Sequence, residues 1–129
     1  MYEMKEEYYT GIQLIDDEHT RLFEIIESLY QLSLDEFLHD KYDSVNQVIQ
    51  ELTDYTKKHF SDEEEYMKKI NYIRIYPQKA QHRKFIDTLE NIDFDEMSEN
   101  AEKTISNLLI YLTDWLVDHI LKMDKQIGH

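Results

Sequence analysis

Four histidines, His19, His59, His82 and His119, fall within the apolar stripes of four different predicted helices. Carboxylates follow two of them, Glu63 four residues after His59 and Asp124 five after His119. Imidazole nitrogen and carboxylate oxygen are ligands for first-row metals such as iron, zinc and manganese. Residues four apart on a helix lie one above the other, so His59 and Glu63 can reach one spot, as can Gln78 and His82. The five-residue spacing of His119 and Asp124 does not align on an ideal helix and predicts that Asp124 reaches back from a fraying last turn. Asp62, three residues after His59, competes with Glu63 on spacing alone. A single buried histidine is ordinarily a hydrogen-bonded core residue. Four without partners would each cost about 1–3 kcal/mol, so a core that carries four is expected to use them. A carboxylate has two oxygens and can bridge two cations. Four histidines and two acids exceed the needs of one metal and predict two.

The elements that must position these groups follow from hydrophobic periodicity. Residues 1–15 read as an extended arm in which Tyr8, Tyr9, Ile12, Leu14 and Ile15 surround Gly11. A first helix over 16–36 is capped by Asp16, with Asp17 and Glu18 at the positive end of its dipole and a stripe of His19, Leu22, Phe23, Ile26 and Leu29. A second over 41–70 is capped by Asp40, carries Val45, Ile49, Leu52, His59, Glu63 and Met67 inward, and stops near Asn71, a residue that tolerates left-handed backbone. A third over 77–91 opens at Pro77 and faces inward with Gln78, His82, Phe85 and Leu89. Asn91 to Ser98 reads as a loop, with Ser98 capping a fourth helix over 98–125 whose stripe runs Ile105, Leu109, Leu112, Trp115, Leu116, His119, Ile120. Amphipathic helices joined by short connections predict an all-α, up-down-up-down antiparallel four-helix bundle with an extended N-terminal arm, a single domain spanning 1–129.

Composition agrees. The 129 residues include only two glycines and one proline, too few turn formers for a sandwich or barrel, and 41% are hydrophobic, enough for one core. A net charge of −14 disfavours nucleic acid and anionic membrane surfaces as partners. The absence of cysteine excludes disulfides, thiolate metal sites and thiol catalysis. No apolar run is long enough to span a bilayer, and the charged start Met1-Tyr2-Glu3-Met4-Lys5-Glu6-Glu7 lacks the apolar segment of a secretion signal, so a cytoplasmic location is expected.

The motifs Gly11-Ile12-x-x-Ile15-Asp16-x-x-His19, His59-Phe60-x-x-Glu63-Glu64, His82 and Trp115-Leu116-x-x-His119-Ile120-x-x-x-Asp124 occur in one order on four helices. Over nearly the whole chain they resemble the haemerythrin family, whose bundle architecture is among the established up-and-down examples. The resemblance implies a bacterial protein with two non-haem iron ions, bridged by an oxo or hydroxo group as well as by one glutamate and one aspartate, and held by histidines. Carried over by position, His19 and His59 would hold the iron left open to dioxygen, His82 and His119 the other, and Glu63 and Asp124 would bridge. It also selects Glu63 over Asp62. Leu22, Phe23, Leu112, Trp115, Leu116 and Ile120 would form a dry oxygen pocket that suppresses loss of superoxide. The implied function is reversible dioxygen binding for storage, transport or scavenging, rather than catalysis.

Two positions depart from the family. Gln78 stands where a fifth histidine belongs, and Met4 replaces a tryptophan usual in the arm. Gln78 has two outcomes: it ligates weakly through its carbonyl oxygen, or it stays away and leaves a second open position. The second outcome defines the rival function, a di-iron peroxidase or reductase. An oxygen or redox sensor and a metal-free structural bundle are the remaining rivals.

Overall fold

The computed structural model describes residues 2–35, 41–92 and 101–128, and among them every regular element is helical. A short 3-10 turn at Glu6–Tyr8 precedes α1 (Gln13–Leu34), α2 (Lys41–Lys69), α3 (Ile75–Glu90) and α4 (Ala101–His119). A π-turn at Ile120–Asp124 continues α4 and leads into the single-turn α5 (Lys125–Ile127). The four long helices form a four-helix bundle in which α1 packs on α2 and α4, and α2 packs on α3. The predicted stripes meet inside it: Leu22 and Leu29 from α1, Ile49 and Leu52 from α2, Phe85 and Leu89 from α3, Ile105 and Leu112 from α4. Each such side chain contributes roughly 1.5–3 kcal/mol by leaving water. Among the described residues no helix is long and apolar enough to cross a membrane.

The arm is shorter than expected and is pinned down. Tyr8 is buried and stacks on Phe23 with ring centroids 5.5 Å apart. Met4 packs against the main core. The first helix begins at Gln13, not after Asp16, so Leu14 and Ile15 belong to it. Asp16 is not its N-cap. It lies one turn inside, and its carboxylate reaches back to accept from the Thr10 N–H and hydroxyl, both at 2.8 Å, and from the Gly11 N–H at 3.1 Å. Gly11 makes the bend possible with φ of +88°, a left-handed value that a side chain disfavours.

The end of α2 has a Schellman geometry. The Tyr72 N–H bonds the Met67 carbonyl at 2.8 Å, the Asn71 N–H bonds that of Lys68 at 3.2 Å, and Asn71 has φ of 55°. Helix α3 starts two residues before Pro77, which sits in the first turn where a missing N–H costs nothing. The predicted caps Asp40 and Ser98, the loop from 93 to 98 and the ends of helices one and four at 36 and 98 lie outside the described residues.

Candidate metal centre

Each long helix delivers buried polar groups to one level of the bundle. α1 brings His19, α2 His59 and Glu63, α3 Gln78 and His82, α4 His119, and the π-turn Asp124; all are at most 3% exposed. Asp124 does not hang from a frayed end. A π-turn spreads its residues so that positions five apart share a face, and this aligns Asp124 with His119, 3.1 Å from Oδ1 to Nε2. Asp62 turns outward to pair with Lys58 at 2.8 Å, whereas Glu63 is fully buried.

The groups sort into two sets that share the carboxylates. His59 Nε2 is 3.1 Å from Glu63 Oε2, and His19 Nε2 is 3.0 Å from Asp124 Oδ2. On the other side His82 Nε2 is 3.0 Å from Glu63 Oε1, and His119 Nε2 is 3.1 Å from Asp124 Oδ1. Within each set, His19–His59–Glu63–Asp124 and Glu63–His82–His119–Asp124, one donor atom per residue lies within 4.8 Å of all the others. Each acid thus turns one oxygen to each side.

Several atoms at this centre lack any hydrogen bond: His19 Nε2, His82 Nε2, His119 Nε2, both oxygens of Glu63 and Asp124 Oδ2. They converge without aiming a proton at one another, which is costly for buried groups unless something else sits between them. Donors at right angles around one cation, at bond lengths of about 2.0–2.2 Å, lie about 3 Å apart. The distances of 3.0–3.1 Å therefore fit two shared cations.

A second layer sets the imidazole tautomers. Nδ1 of His59 bonds Glu18 Oε1 at 2.9 Å, Nδ1 of His82 bonds Glu64 Oε2 at 2.8 Å, and Nδ1 of His119 bonds Gln81 Oε1 at 2.8 Å. With the Nδ1 proton donated outward, the Nε2 lone pair faces the centre. None of Glu18, Glu64 and Gln81 was singled out as part of a site from sequence. Glu18 looked like a dipole residue but is 3% exposed, and its visible signal is the buried face it shares with Ile15 and Leu22. Two ligand rings are clamped flat by aromatics, His82 against Phe60 at 3.8 Å and His119 against Trp115 at 4.7 Å.

Electrostatics follow from the two buried acids. Burial pulls the His59 pKa down, but the charge of Glu63 and the bond to Glu18 outweigh it and hold it at about 10. His119 is likewise lowered by burial yet carried up to about 9, mainly by Asp124. His19 moves upward for the same reason, with Asp124 and Glu63 overcoming burial. Burial pushes Glu63 upward, but the imidazoles around it, His59 first, hold it well below the usual carboxylate range.

Phe60 and Trp115, which stack on His82 and His119, also line a cavity of about 10 Å³, room for one water-sized molecule, together with Leu22, Ile26, Leu52, Thr56, Phe85, Leu112 and Leu116; none of the six proposed ligands lines it. Phe23 and Ile120, expected in this wall, are buried in the main core and do not line it; Phe23 is taken up by Tyr8. Thr56, whose hydroxyl has no partner, is the one polar side chain of the lining.

A family profile described as the Hemerythrin HHE cation binding domain matches residues 10–128. The chain is 37% identical over 126 residues to a bacteriohemerythrin of Clostridium acetobutylicum, covering 98% of each, and 29% identical over 123 residues to a myohemerythrin of Sipunculus nudus, covering 95% of this chain and 88% of that one. A crystal structure of wild-type hemerythrin superposes with a TM-score of 0.77 at 24% identity, over 99% of this chain and 95% of its own, which supports the fold alone. With a domain profile spanning most of its length and a relative this similar end to end, the chain belongs to the haemerythrin family.

Proposed function

We propose that this chain is a non-haem di-iron protein that binds dioxygen reversibly, serving oxygen storage, transport or scavenging. The observation that carries this reading is the pair of donor sets sharing Glu63 and Asp124, each with two imidazoles and with most of its inward atoms unpartnered. In this reading His19 and His59 hold one iron, His82 and His119 the other, and Glu63 and Asp124 bridge. When bound, two ferrous ions supply the two electrons that reversible dioxygen binding draws on.

The protein's own part is positional. Glu18, Glu64 and Gln81 hold the Nδ1 protons of His59, His82 and His119 and so turn the Nε2 atoms of those rings to the metals. Phe60 and Trp115 fix ring planes, and with Leu22, Leu112 and Leu116 they keep water scarce beside the centre. Oxygen titration of the reduced, iron-loaded protein tests the reading. An absorption band that appears with oxygen and fades under vacuum is expected, whereas irreversible oxidation in every cycle counts against a carrier. Among the described residues none, and no pocket, favours the peroxidase, reductase or sensor alternatives.

A further inference from the structure

Gln78 is the buried polar side chain that the six proposed ligands leave unexplained. It is 0% exposed, its Nε2 donates to Asp124 Oδ1 at 3.1 Å, and its Oε1 has no partner. An amide buried this completely with its only acceptor unsatisfied is costly, by about 1–3 kcal/mol. The distance to Asp124 Oδ1 equals that of His119 Nε2 to the same oxygen, 3.1 Å in both cases. The amide tip thus lies as close to this shared carboxylate oxygen as a proposed ligand of the His82–His119 set does. The nitrogen and oxygen of a glutamine amide have nearly the same outline, and which faces a neighbour is settled by that neighbour's hydrogen bonding. Beside a bare carboxylate the nitrogen turns inward; beside a carboxylate already neutralised by a cation, the oxygen gains more.

Resting on the reading that the six residues bind metal, we infer that Gln78 is itself a metal ligand, its Oε1 completing the set of His82, His119, Glu63 and Asp124. The two sets then differ in kind. One offers two imidazole nitrogens and two carboxylate oxygens, the other the same plus a neutral amide oxygen. Oxygen-rich sets favour harder cations, manganese among them, over those that imidazole favours. A histidine at position 78 would make that set the richer in nitrogen instead.

A sign test separates a ligand from a mere hydrogen-bond donor to Asp124. In Gln78→Glu the oxygen donor is kept and gains charge, while the N–H is lost. Anaerobic titration with ferrous iron alone is expected to give two ions per chain in the wild-type protein and in Gln78→Glu, the second at least as tightly held in the variant. Gln78→Leu should bind the second ion about tenfold or more weakly, as loss of a supporting group already costs that much. A weaker second ion in Gln78→Glu than in the wild type, or an unchanged one in Gln78→Leu, overturns the inference while leaving the six ligands standing. The crystal structure of the iron-loaded wild-type protein decides it without a variant: Oε1 facing the metal supports it, and Nε2 still on Asp124 refutes it. Failure of the wild-type protein to take up iron at all overturns this inference and the six-ligand reading together.

Discussion

Glu63 is the residue on which the centre turns, because it comes within 4 Å of all four imidazoles, at 3.0 and 3.1 Å for His82 and His59 and at 3.6 and 3.9 Å for His19 and His119. Glu63→Ala is therefore expected to lose both metal ions, and His59→Ala at least one, with lower melting temperatures; metal analysis at full stoichiometry in either would show that the ligands are misassigned. Glu18→Gln should weaken metal binding by about 10–100-fold without unfolding the chain, as loss of an outer-layer partner does, and isothermal titration measures it. The metal-free protein should respond to pH with a definite sign. The folded pKa values of His59 and His119, about 10 and about 9, lie above the unfolded imidazole value, so their stabilisation is complete below about pH 6.5 and is lost as pH rises through those values. Glu63 is lowered, so its contribution is present above about pH 4.5 and is lost in acid. The melting temperature of the metal-free protein should thus be higher at pH 6 than at pH 9.5, and the opposite order in a melting series would contradict the assignment. Bound metal replaces these protons, so iron uptake should weaken in acid. Four histidines at helical spacing were legible because each interrupts an apolar stripe. Glu18, Glu64 and Gln81 were not, since a charged or amide residue beside a stripe reads as solvated face until the facing helix is known.

At the scale of elements, the four stripes placed four helices in the sequence, and the ends were where that reading slipped. Periodicity carries no information about a side chain that reaches backwards, as Asp16 does to Thr10 and Gly11, so the start of α1 was set three residues late. Nor does it reveal a π-turn, which shows only as a ligand pair five apart instead of four; the spacing of His119 and Asp124 was the visible trace, misread as fraying. The arm and the C-terminal turn meet at Gly128, where a Cβ would overlap the Thr10 carbonyl. Gly128→Ala should cost about 1–3 kcal/mol by forcing that junction apart. Thermal melts should show the loss with metal stoichiometry intact, because the clash lies beyond the donor sets. An unchanged melting temperature would mean that the junction is looser than the contact implies.

At the scale of the whole molecule, the centre ties all four long helices together at one level of the bundle. Every long helix and the π-turn contributes to it, so unfolding any one element dismantles the binding site, and binding free energy becomes folding free energy. In the metal-free state the two buried carboxylates are balanced by protons on the imidazoles beside them, His59 and His119 foremost, and two divalent cations would take the place of those protons. Loading should raise the melting temperature, by an amount equivalent to about 2.7 kcal/mol per site at free metal of about a hundred times Kd, and a chelator should undo it. The most direct measurement is an iron count joined to an absorption spectrum of the reduced protein before and after air is admitted. The account predicts two irons per chain and a new band that forms in air and disappears when oxygen is withdrawn. A full iron complement with no such band would contradict oxygen binding, and a well-folded chain that holds no iron would contradict the centre itself.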